Sequence, residues 1–89
     1  MTRDTMDRET AALRAARQEY TRASRAVDAC LREYREALRR SEADPGNRQL
    51  RSERAAAHER YAAAIQRMTP LRARFHDAEA AERGRGSDE

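Results

Sequence analysis

Histidine, cysteine and serine are the side chains from which a small protein builds a metal centre or a nucleophile, and this chain has few of them well placed. Its two histidines are His58 and His76. Dimetal sites in helical bundles use inward glutamates together with a Glu-x-x-His spacing. Here the residue three before His58 is Ala55, and the residue three before His76 is Ala73. The acids that do stand close, Glu59 and Asp77, are sequence neighbours and fall on different faces of a helix. Neither histidine reads as a metal ligand.

Nucleophilic chemistry has no better footing. Cys30 is the single cysteine and falls on an apolar seam, where a thiol packs as a small hydrophobe. Ser24 and Ser52 have no histidine at helical spacing, and no glycine-rich phosphate loop exists. Glu33 with Glu36, and Glu79 with Glu82, bring carboxylates onto one helical face. Solvated faces in Arg/Glu-rich helices produce such pairs routinely. The expectation is a protein that is not an enzyme, with no catalytic residue, no cofactor and no metal.

Arginine offers the one remaining constellation. All nineteen basic residues are arginine, and Arg25, Arg32 and Arg39 repeat at intervals of seven, joined by Arg22 and Arg35. Such a ridge could track phosphates, which makes a nucleic-acid-binding accessory protein the alternative reading. Asp28 and Glu36 interrupt it, no aromatic is interleaved for base stacking, and sixteen acids hold the net charge to +3. A solvated helix face is the simpler account.

The elements that must carry these side chains follow from one turn. Pro and Gly are absent from the first two thirds of the chain except at Pro45-Gly46, within Ser41–Asn47. Pro45 disfavours helix at Asp44, Gly46 can take a positive φ, and Asn47 can cap a second helix. On both sides the chain is rich in Ala, Arg and Glu, with Val27 and Ile65 the only β-branched aliphatics. The expected fold is all-α: an antiparallel two-helix hairpin, an Ala-rich coiled coil, with helices over about 5–42 and 48–83 and a turn at 43–47.

A heptad pattern fixes how the arms meet. Met6, Leu13, Tyr20, Val27 and Tyr34 repeat at seven (position a), and three residues later come Glu9, Ala16, Ala23, Cys30 and Ala37 (position d). In the second arm Tyr61, Met68 and Phe75 form the large column, while Leu50, Ala57, Ala64, Leu71 and Ala78 form the other. Folding at Pro45-Gly46 sets level those residues whose numbers total about 91. Tyr34 then faces Ala57, Val27 faces Ala64, and Cys30 faces Tyr61, so large side chains meet small ones. The same fold puts Glu33 beside Arg60 and Glu19 beside Arg74.

The other flank (position e) carries Leu31, Leu38, His58 and Ile65, with Ser24 between. These belong to neither seam column, so a partner surface is expected there. His58 fits either a pH-sensitive contact or a partly buried neutral imidazole. Two helices alone bury little, and pairing of two hairpins into a homodimeric four-helix bundle is the expected remedy. The spacing runs through Pro70 without a slip, which predicts one helix kinked near Gln66 to Pro70 rather than two. Gly84 should stop that helix, leaving 84–89 as a disordered tail, and Asp4 or Thr5 should cap the first.

No apolar run reaches membrane-spanning length, and the N-terminal residues lack the apolar core of a signal peptide. With a lone cysteine, the expectation is a cytoplasmic protein with no membrane contact. Hairpins carried by specialised export systems usually show Trp-x-Gly at the turn, and this chain has no Trp. The expected function is a non-enzymatic protein–protein interaction module, regulatory or scaffolding, that works by helix packing with itself and with another protein.

Overall fold

Ala, Arg and Glu lose little side-chain freedom in a helix, and long runs of them propagate one without help from β-branched residues. The computed structural model shows two helices and no strand among the described residues: α1 (Thr2–Ala43) and α2 (Arg48–Ser87). It describes the backbone of residues 2–87 and the side chains of residues 11–84. The helices pack antiparallel along their length, giving a rod of 66 × 17 × 14 Å. That length matches about 1.5 Å per helical residue.

Asp44, Pro45, Gly46 and Asn47 make the reversal. The Asn47 amide donates to the Asp44 carbonyl at 3.0 Å, closing a four-residue turn with Pro45 in its second place. Asn47 then caps α2: its Oδ1 accepts the Leu50 amide at 3.2 Å, and its Nδ2 donates to Asp44 Oδ2 at 3.2 Å. Gly46 does not adopt the positive φ expected of it, and no described glycine does. The turn is thus of a kind most residues can enter, and its sharpness comes from Pro45 and the Asn47 cap.

Both helices are longer than the sequence suggests. α1 starts at Thr2, ahead of the cap expected at Asp4 or Thr5. α2 continues through Gly84 to Ser87, so the expected stop is absent. One glycine costs a helix about 1 kcal/mol relative to alanine, which weakens it without ending it. Met1, and Asp88 and Glu89 of the expected tail, lie outside the described residues. α2 is one helix across Pro70. Proline removes the amide that Gln66 O would accept. One residue earlier, Thr69 Oγ1 donates to Ile65 O at 2.9 Å, a side-chain bond in the same turn.

Packing is close but thin. Ala57 and Ala64 are 2% exposed and form the buried apolar core, with Ser41 equally buried beside the turn. Among the described residues no large side chain is fully buried. Among the described residues three cross-helix ion pairs share one offset: Arg40–Glu53 at 3.5 Å, Arg60–Glu33 at 3.5 Å and Arg74–Glu19 at 3.6 Å. The last two are those the folding rule requires. All six side chains are well exposed, so each pair contributes roughly 0.2–1 kcal/mol and orients more than it stabilises.

Candidate interaction surface

On a helical wheel position a lies next to e, and d lies next to g. In an antiparallel pair the two e columns share one flank and the two g columns share the other. The large residues of both arms occupy a, so they converge on the e flank with Leu31, Leu38 and Ile65. Column d, beside the ion-paired g flank, is mostly alanine, with Cys30, Leu50 and Leu71 among its members. The hairpin is therefore lopsided: one edge carries mostly small side chains and the ion pairs, the other mostly large apolar ones.

Ring geometry shows the convergence. Tyr34 stacks with Tyr61 at 6.2 Å between centroids, with planes 9° apart, and Tyr20 stacks with Phe75 at 5.5 Å and 24°. Layer counting alone hides both contacts, because each pair is offset by about one turn. The missing ingredient is side-chain direction. Cα–Cβ bonds lean toward the helix N-terminus, and in antiparallel helices the two leans point toward each other. The lean closes the offset, so same-column residues touch as well as facing ones.

The expected partner residues sit around these rings. Leu31, Leu38 and Ile65 are partly buried, whereas His58 is exposed rather than half-covered. His58 meets the Tyr34 ring edge-on at 5.2 Å. Tyr20, Val27, Tyr34, Tyr61, Met68 and Phe75 are likewise only partly buried. At the far end Arg17 lies over the Phe75 ring at 5.9 Å, a cation–π contact.

The whole molecule exposes 6941 Å². A compact monomer of its 10.2 kDa would expose about 5,300 Å². The excess, on the order of 1,600 Å², is about twice one partner's share of a standard protein interface.

The arginine ridge behaves differently. Arg22, Arg25, Arg32, Arg35 and Arg39 are all exposed. Arg39 is engaged by Glu36 on its own helix. Arg22 borders a shallow groove of about 390 Å³ that also includes Glu19, Ala23, Ala64, Arg67 and Leu71. A second groove, of about 510 Å³, lies nearer the turn, where three arginines and three glutamates surround Ala37 and Ala57. Both are open to solvent, and neither encloses a substrate-sized space.

Among the described residues no three metal-ligating side chains cluster. His76 approaches Glu79 at 3.3 Å on the surface, and Cys30 is partly buried. No described helix is long and apolar enough to cross a membrane. Compared with known proteins, the chain matches no family model, no curated protein and no solved structure.

Proposed function

We propose that this hairpin is a non-enzymatic protein–protein interaction module whose working surface is the e flank, with Leu31, Leu38, His58 and Ile65 at its centre. The supporting observation is that, among the described residues, no large side chain is fully buried, while half-covered aromatic and aliphatic ones are gathered mainly on this side. Apolar surface gathered in this way is stabilised by a further helix laid against it, as in helix-in-groove recognition. Another hairpin there would complete an antiparallel four-helix bundle, and a different protein would make the chain a scaffold or regulator. A cytoplasmic setting suits its lone thiol.

The nucleic-acid alternative has less behind it. Its ridge has lost Arg39 to Glu36 and offers no aromatic for stacking.

The deciding comparison is between the native chain and Leu31→Glu, matched for helix content by circular dichroism. Assembly is followed by light scattering and by titration with an amphipathic helical peptide. The native chain should associate with itself or with the peptide, and the variant with neither. A native chain that associates with nothing, or a variant that associates equally well, overturns the reading.

A further inference from the structure

The e flank differs from its opposite in charge as well as shape. Over the apolar strip its rim carries Arg14, Arg17 and Arg35 from α1 and Arg48, Arg51 and Arg72 from α2, against three acids, Asp28, Glu42 and Glu79. All six arginines are exposed. No ion pair among the described residues reaches any of them. On the g flank Glu19, Glu33 and Glu53 are each clasped by an arginine of the other helix. With six such arginines against three acids, the border of the apolar strip keeps a net positive charge.

We propose, building on the interaction reading above, that the e flank docks an acidic amphipathic helix of a partner protein. The helix would lay an apolar stripe over Tyr34, Tyr61, Leu31 and Ile65, with Asp and Glu on both sides meeting the arginine rim. Arginine suits this role, because its planar fork takes carboxylates in a bidentate way and its stem covers apolar surface. A second copy related by a twofold axis would instead set this rim against itself, with two arginines for every acid. From Leu38 to Arg17 the strip extends about 32 Å, the length of roughly 21 helical residues.

The test uses the full chain and three probes. One is a synthetic helix of about 21 residues with leucines on one face and glutamates on either side of it. The second is its twin with lysines for glutamates, and the third a single-stranded oligonucleotide of similar length. Fluorescence anisotropy should show the acidic helix binding at least about tenfold more tightly than the lysine twin, with the gap narrowing as salt rises. Arg17→Glu with Arg72→Glu should invert the preference. Leu31→Gln with Ile65→Gln should weaken the acidic helix about tenfold while helix content stays unchanged.

Equal binding of the two peptides overturns the proposal. So does an oligonucleotide that displaces the acidic helix and binds the Leu31→Gln/Ile65→Gln chain undiminished, which would point to the nucleic-acid alternative. If light scattering finds a dimer that those two substitutions dissociate, the occupant is a second copy. The charge argument then fails while the interaction reading survives. A monomer that binds no probe removes both.

Discussion

Tyr34 and Tyr61 lie nearly parallel across the seam, 6.2 Å apart and 9° from coplanar in direction. One belongs to each helix, yet neither is fully buried. The stack joins the arms and at the same time forms part of the floor of the e flank. On the proposed reading, stability and recognition draw on the same rings.

Truncating Tyr34 to alanine should cost about 1–2 kcal/mol, below the 3–5 typical of a fully buried aromatic, because part of the ring is already wet. A double-mutant cycle with Tyr61→Ala should give a coupling of about 0.5–1.5 kcal/mol. Urea unfolding monitored by circular dichroism measures both. Strict additivity would mean the rings are neighbours without energetic contact.

The hairpin and its offset were legible in the sequence because two independent signals agree: the Pro45-Gly46 turn and the seven-residue columns. Glu33–Arg60 and Glu19–Arg74 follow from that offset and are present. The aromatic stacks were not legible from facing layers, since they depend on the direction side chains lean. Arg40–Glu53 shares the offset of the other two pairs and was open to the same rule. The helix ends were less legible, because a local preference, glycine at Gly84 or a cap at Asp4 or Thr5, is outweighed by the helix propensity of the residues around it.

At the turn, Asn47→Ala should cost about 0.5–2 kcal/mol, since it removes the acceptor of the Leu50 amide and the bond to Asp44 together. Gly46→Ala should be neutral or stabilise by up to about 1 kcal/mol. Its φ is not positive, and an added Cβ meets nothing within 4 Å. Thermal unfolding of the two variants side by side measures the contrast. A Gly46→Ala more damaging than Asn47→Ala would show that the glycine, and not the cap, makes the reversal.

Pro70 and Gly84 both weaken α2 from exposed positions. Pro70→Ala should raise stability by up to about 3 kcal/mol, and Gly84→Ala by up to about 1 kcal/mol. A Cβ on Gly84 has open space around it. The gain at Gly84 should be the smaller, because the end of a helix frays and recovers only part of the propensity difference. Denaturant midpoints rank the two. If Pro70→Ala destabilises, the helix depends on the geometry that proline imposes there.

Reversing the clasp at Glu33 and Arg60 tests whether the g flank orients the arms. Glu33→Arg sets a cation against Arg60, and Arg60→Glu sets an anion against Glu33. Each single reversal should therefore cost about 0.2–1 kcal/mol. The double reversal rebuilds the pair with its sense exchanged and should recover most of that loss. Because both side chains are more than half exposed, the penalty of either single variant should shrink in 1 M salt, where the screening length falls to about 3 Å. Helix content should stay constant throughout, since the alanine seam and not the clasp brings the backbones together. Midpoints of urea unfolding for the native chain and the three variants, each at low and high salt, give the comparison. A double reversal no better than the worse single variant would mean that the flank does not set the register and that the fit of the seam does so alone.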